Sequence, residues 1–414
     1  MKDTKDFADL LKTLDAYNKK YETIDSDNAQ NAIDDFDEQW KTITSHSVVG
    51  TPNSESNYGQ ALVNLSFAIH KLSNPSEKQT NWLSDLIDDF EKKENFGNYK
   101  MTLFYNLGLC WHSFGYLYNS KIIEAFKKHL YYLLLTSNQE ANSPTAAYSF
   151  RKCTTFLYQS LINDELNISA PSTFNDPFDN PIVEKLKSGN DLSKLMYQAF
   201  QNSLKIACFT CNLRQPRILD KWNRFSTSAI DMKKNENGRK EYQNELMWAH
   251  YANYHRGICI KYSFSLSITD MMETKSNRVS FFKDVNYSDE DLSKYSSPNT
   301  MPLEDAFFLK GKAWEYENEL RYVCFDINGQ GDYDTVNIPN CIESIYFGLK
   351  CSDKDRKAII NIMRNKRFIK KDFKGNVLVD KPIDFFKMEM DEKHFGQIKA
   401  VPYSETNESI NSKE

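Results

Sequence analysis

Apolar side chains recur every three or four positions in residues 59–73 (GQALVNLSFAIHKLS) and 79–92 (QTNWLSDLIDDFEK), and Asn74-Pro75 interrupts between them. That spacing lines one face of a helix, so the pattern predicts two helices separated by a break. The same period returns in NLGLCWHSFG and KIIEAFKKHLYYLLL, which predicts a second hairpin from Thr102 to about Leu135. Small residues at its contact positions let two helices approach closely. The first 140 residues therefore read as helical, and the acid-rich stretch Asp25 to Glu38 as a solvated helix face.

A Ser/Asn/Pro patch from Ser137 to Pro144 ends this texture. Beyond it come short β-branched and aromatic runs: Tyr148–Arg151, Leu166–Ser169, Ile206–Thr210, Gly257–Phe264, Glu319–Phe325 and Ser344–Leu349. Helical stretches lie between them, notably 353–365 after Ser352, a good N-cap. The fold class is α+β. An all-helical domain spans residues 1–143, a mixed α+β domain 144–403, and 404–414 (SETNESINSKE), with almost nothing to bury, is expected to be a loose tail.

Composition narrows the picture. Forty percent apolar and fourteen percent aromatic residues supply a sizeable core. The net charge of −5 comes from an acidic surplus in the first 150 residues, and the remainder is near neutral. Neither part is basic enough to bind nucleic acid through charge alone. The opening MKDTKDFADLLK has no apolar segment of a secretory signal, and no run of eighteen apolar residues exists to span a membrane. Eight scattered cysteines do not form a disulfide framework, so the expectation is a cytoplasmic protein with reduced thiols and no membrane partner.

Three clusters in the second half carry candidate chemistry. In Ser169-Ala-Pro-Ser-Thr-Phe-Asn-Asp-Pro-Phe-Asp179, two prolines bracket a turn bearing Asn175, Asp176 and Asp179. It reads either as a self-capped turn or as the rim of a pocket. In Leu246 to Gly257, His250, Tyr251, His255 and Arg256 gather where a helix gives way to a strand. The five-residue spacing of the histidines does not make an i, i+4 metal pair, which leaves a polar pocket wall or a satisfied structural network. In Lys310 to Phe325, a strand starting near Tyr316 puts Glu317, Glu319 and Arg321 on one face. That face is either a salt-bridge ladder or a carboxylate site for a developing cation. Cys208-Phe-Thr-Cys211 is a single CxxC whose sulfurs fall on opposite strand faces, so neither zinc nor redox work is expected of it. No phosphate loop, GxGxxG, GxSxG or HExxH is present.

Six motifs in order carry a resemblance: Tyr148-Ser-Phe-Arg151, FNDPFD (174–179), Cys208-Phe209, Met247-Trp-x-His-Tyr…His255-x-Gly257, Trp314-x-Tyr-Glu-x-Glu-x-Arg321, and Ile342-x-x-Ile-x-x-Gly348. Together they resemble a bacterial family filed as domain of unknown function 2971, over about residues 147–403. Leu107, Gly108, Trp111 and Gly115, with Ala125 and Phe126, resemble a tetratricopeptide hairpin, which implies a protein or signal partner on the helical domain. The layout of the second half is also similar to ADP-ribosyltransferases. That resemblance implies NAD as substrate, with Arg151 on its pyrophosphate, Ser169 supporting the ribose, and Glu319, paired with Glu317, stabilising the charge left when nicotinamide departs. It also implies that Trp314 or Tyr316 stacks on the base or acceptor. Asn175, Asp176, His250, Tyr251, His255 and Arg321 complete the candidate lining. The acceptor would be a protein or nucleic acid, and a toxin or antiphage role would suit such a layout. Two other readings stay open: a non-enzymatic small-molecule or nucleotide-binding module, and a metal-dependent nuclease using Asp176, Asp179, Glu317 and Glu319 as Mg²⁺ ligands.

Overall fold

A computed structural model describes residues 12–43, 52–92, 97–137, 146–174, 179, 189–211, 240–264, 277–289, 307–372 and 375–403. They fall into two compact units, one drawn from residues 1–136 with 184–203, the other from 137–183 with 204–414.

The first unit is helical, as the apolar periodicity predicts: α1 (12–20), α2 (Ala29–Ile43), α3 (Pro52–Lys71), α4 (Glu77–Glu91), α5 (Gly97–His112) and α6 (Asn119–Ser137). Helix Asp191–Gln201, far along the chain, groups with it. Ser76 caps α4 by a reciprocal arrangement. Its hydroxyl accepts from the Gln79 amide, and Gln79 reaches back to the Ser76 amide. Gly108 marks a close approach of α5 and α6, because a Cβ there would lie 2.7 Å from the Phe126 ring. Gly115, at φ +84, lets the chain leave α5 in a left-handed conformation that favours glycine.

The second unit is built on a ten-stranded sheet among the described residues. Its strands are β1 (Ala147–Arg151), β2 (Glu165–Ser169), β3 (Leu204–Thr210), β4 (Ile258–Tyr262), β5 (Arg278–Asp284), β8 (Glu319–Asp326), β9 (Tyr333–Asn337), β10 (Ile342–Phe347), β13 (Asp384–Met390) and β14 (Ile398–Pro402). Two short ribbons, β6 (Asn286–Tyr287) with β7 (Leu309–Lys310) and β11 (Arg367–Lys371) with β12 (Val377–Pro382), stand apart. Every pairing in the large sheet is antiparallel except β10 with β13. All six predicted strands are present. Strand β3 is the hub: β8 runs along one side, while β1 meets it at Tyr148↔Thr210 and β2 at Ser169↔Ile206.

Period-two alternation divides the unit into two layers. Ala147, Ala207, Phe209, Leu320, Tyr322 and Cys324 point into one core, which α7 (Thr155–Asn163) and α9 (Asp353–Met363) cover with Leu157, Leu161, Ile359 and Met363. Tyr148, Phe150, Cys259 and Tyr346 point the other way, against Met247 and Trp248 of the short helix α8 (Glu245–His250). Ser352 caps α9 as predicted, accepting from the Asp355 amide at 3.1 Å. Among the described residues no helix is long and apolar enough to cross a membrane.

Candidate functional site

On the second of these faces, a single transverse row runs Tyr148, Thr210, Glu319 across β1, β3 and β8, and Cys208 faces Arg321 in the next row of that face. Above these rows opens a cavity of about 420 Å³. Phe174, His250, Tyr251 and Trp314 give it aromatic walls, and Asp179, Lys310, Glu317 and Glu319 line its charged end.

The charges form one buried network. Lys310 Nζ lies 2.7 Å from Glu317, 3.1 Å from Glu319 and 3.4 Å from Asp179. Arg321 donates to Glu319 through Nε at 2.8 Å, to Asp179 through Nη2 at 2.7 Å and to the Phe307 carbonyl through Nη1 at 2.7 Å. Its guanidinium also sits over the Phe174 ring. Three carboxylates thus share two cations, and none of the five side chains is more than 5% exposed. Burial disfavours the charged forms, yet the partners win for three of them. Burial opposes but Arg321 and Lys310 hold the Glu319 carboxyl down at about 2. Burial likewise opposes the charge on Lys310, which Glu319, Asp179 and Glu317 drive upward. Arg321 is raised against burial by Glu319 and Asp179. Glu317 differs: burial raises it, and Lys310 compensates only in part while Glu319 repels. The Tyr251 hydroxyl donates to Glu317 Oε1 at 2.5 Å.

Local backbone chemistry explains how these groups meet. The expectation of a strand from Tyr316 is corrected. Residues Lys312–Glu317 form a 3₁₀ turn, Asn318 takes φ 45, and the strand begins at Glu319. Alternation therefore accounts for Glu319 and Arg321, whereas Glu317 reaches the same cation by way of the turn. Asn244 joins two pieces of the site. Its Oδ1 accepts from the Leu246 and Met247 amides to cap α8, and its Nδ2 donates to the Tyr316 carbonyl at 2.8 Å. That clamp sets Tyr251, just past α8, against Glu317. The chain then passes through three successive left-handed residues, Asn253, Tyr254 and His255, before β4. Gly257 and Gly348 are needed there: a Cβ would lie 2.1 Å from the Arg151 carbonyl oxygen at the first and 2.3 Å from that of His255 at the second.

The candidates divide accordingly. Glu317, Glu319, His250, Tyr251 and Trp314 line the cavity, and Arg321 anchors its carboxylates. Tyr316 packs beside His250 and Trp314, with ring centroids 6.2 and 6.0 Å away. His255 stacks on Trp248 instead, 6.1 Å between centroids. Arg151 is not among the lining residues. It follows Phe150, so alternation turns it to the face opposite Glu319. Ser169 shares the face of Glu319 but meets β3 at Ile206, four residues from Thr210, and does not line the cavity either. Asn175 and Asp176 lie outside the described residues. The nuclease reading needs converging carboxylates. Three do converge, but upon an ammonium and a guanidinium, and no described His, Cys, Asp or Glu cluster is set to hold a metal ion. Cys208, Thr210, Phe174 and Lys310 are site residues that sequence reasoning passed over. The Lys310 signal was present, a lysine seven residues before Glu317 at the head of the same motif.

No curated protein and no solved structure matches the chain. Residues 247–322, which run from the start of the His250-Tyr251 motif to just past Arg321, match the model of the family described as "Protein of unknown function (DUF2971)", the family whose motifs this sequence resembles.

Proposed function

We propose that the sheet unit is a glycosyl-transfer enzyme that cleaves the nicotinamide–ribose bond of NAD and passes ADP-ribose to a protein or nucleic acid. One observation carries this reading: an aromatic-walled cavity whose buried charges leave one carboxylate in excess, with Glu317 lining it. The nicotinamide ring of NAD is planar and cationic, so it gains from aromatic faces and from that surplus negative charge. As the bond breaks, its electron pair leaves with nicotinamide, which becomes neutral, and ribose C1′ becomes an oxocarbenium-like cation. A carboxylate beside C1′ stabilises that charge, and the acceptor's proton needs a base once it attacks.

Glu317 suits both tasks better than Glu319. Its carboxyl is raised by burial and meets one cation, Lys310, with the neutral Tyr251 hydroxyl on its other oxygen, whereas both Glu319 oxygens accept from the cations Arg321 and Lys310. Tyr251 orients Glu317, and His250 and Trp314 flank the entrance of the ring. Glu319 and Asp179 then serve to hold Lys310 and Arg321. That saturation of Glu319 also favours a second reading, a binding pocket without turnover.

The test is nicotinamide release from NAD by the whole protein, with and without cell lysate as acceptor. Wild type is expected to release nicotinamide, and Glu317→Gln to lose at least about 100-fold of the rate with an unchanged melting temperature. NAD binding without release from either acceptor condition would favour the binding pocket. Neither binding nor release would overturn the reading.

A further inference from the structure

The floor of the cavity carries a polar group that neither the charged network nor the proposed cleavage uses. Thr210 sits in the row Tyr148, Thr210, Glu319, paired directly with Tyr148 on one side and with Glu319 on the other. Along β3 it alternates with Phe209 and Cys211, which face the opposite core, so its side chain belongs to the cavity face. Thr210 lines the cavity yet is only 3% exposed, and its Oγ1 has no hydrogen-bond partner among the described residues. His70 Nδ1, Ser203 Oγ and His255 Nδ1 are orphaned in the same sense, but none of those residues lines the cavity.

A buried hydroxyl without a partner is a standing cost to the fold. Valine has the shape of threonine and the same preference for strands, and would fill this position without that cost. Packing therefore does not account for the hydroxyl, whereas a ligand that completes its hydrogen bond does. The row also says which part of the ligand that is. Tyr148, Phe150 and Met247 make the lining apolar on one side of Thr210, and Glu319 begins the charged end on the other. Adjacent strands lie about 4.8 Å apart, so Thr210 is one such step from Glu319 toward the apolar side. In nicotinamide the carboxamide lies across the ring from the glycosidic nitrogen, at a step of similar size. It is neutral and offers both an acceptor and donors, and a hydroxyl can pair with either.

We propose that Thr210 is the specificity contact for the nicotinamide carboxamide, its hydroxyl hydrogen-bonding that group while the ring lies over the row between Tyr148 and Glu319. The glycosidic bond then falls at the carboxylate end, where Glu317 and Glu319 share Lys310. The inference rests on the cavity taking NAD, whether or not NAD is then cleaved.

The experiment compares the full chain's affinity for NAD with that for ADP-ribose, which lacks the nicotinamide. Tryptophan fluorescence on rapid mixing reads both before turnover consumes NAD, since Trp314 lines the cavity. Thr210→Val is expected to weaken NAD about tenfold and ADP-ribose by less than about twofold. Thr210→Ser, which returns a hydroxyl, is expected to recover most of the NAD loss. If Thr210→Val binds NAD as wild type does, the proposal fails while the reading of the cavity stands. Equal losses for NAD and ADP-ribose would give the hydroxyl to the ribose or the fold, and would also overturn it. A wild type that binds no NAD removes both. Should ADP-ribose bind too weakly to follow, recovery by Thr210→Ser decides.

Discussion

The two units bury polar groups in opposite ways. In the helical unit the ion-paired charges keep a route to water, and the buried Lys100 donates to a backbone carbonyl, that of Glu91, at 3.0 Å. Lys128 pairs with Glu91 at 2.8 Å, yet the two side chains remain 21% and 25% exposed. Buried side-chain pairs there include neutral ones, such as Asn106 donating to Ser66 at 2.8 Å. In the sheet unit, Arg321, Lys310 and three carboxylates are almost completely out of water in one place, beside the cavity. Desolvating such a set gains little stability over apolar side chains of the same volume. A fold that needed only to be stable had no use for it, so the contrast singles out the sheet unit as the one whose buried charges the proposed function would use.

The comparison breaks most sharply at Arg321. Arg321→Met strands Glu319 and Asp179 without their guanidinium and is expected to cost about 3–5 kcal/mol. Lys128→Ala in the helical unit should cost about 1 kcal/mol or less, because its ion pair is part-solvated. Urea unfolding, read by hydrogen exchange in each unit separately, measures both, and equal losses would erase the distinction.

Glycines give the next largest contrast. At Gly257 a methyl group meets a backbone carbonyl that two strands hold in place, whereas at Gly108 it meets the edge of the Phe126 ring, which can turn. Overpacking of this kind costs about 1–3 kcal/mol. Gly257→Ala is expected at or above the top of that range and Gly108→Ala near the bottom, by the same unfolding measurement.

Acid should act last and least, and differently on each unit. Burial lowers His70 and His129 in the helical unit below the usual 6.5. Their neutral forms therefore contribute fully above that pH, and the contribution is lost as pH falls through the folded values. In the sheet unit His255 follows the same rule. Glu319, held down from 4.5 to about 2, stabilises above 4.5 and is lost between those values. Glu317, raised, has the opposite sign and gains on protonation. Exchange corrected for its intrinsic pH dependence should show the helical unit, with two such histidines against one, loosening more as pH falls below 6.5, and the larger loss of the sheet unit falling below about pH 4.5. A sheet unit that loosened first would contradict the assignment of Glu319.

Much of this was legible along the chain. The three-and-four spacing predicted α3 to α6, the β-branched runs predicted six strands, and Ser352 fixed the start of α9. What was missed had weak local signals. Strands β9, β11, β12, β13 and β14 carry many exposed or half-buried positions and show no clear alternation of apolar and polar residues. In the site, Glu319 and Arg321 were readable as one face because alternation is a local rule. Arg151 and Ser169 could not be placed relative to them along the chain, because their distance from Glu319 depends on which strands pair and in what register.

The sequence by itself determined which segments coil, which extend, and where chemistry-bearing side chains concentrate, since each follows from interactions within a few residues. Only the tertiary structure decided that Glu317 and Glu319 share Lys310, that Arg151 turns away from them, and that Tyr158 reaches Asp355 across 197 residues of chain. Those meetings are set by strand pairing and by helix starts packed side by side, long-range contacts whose free energy no local pattern records.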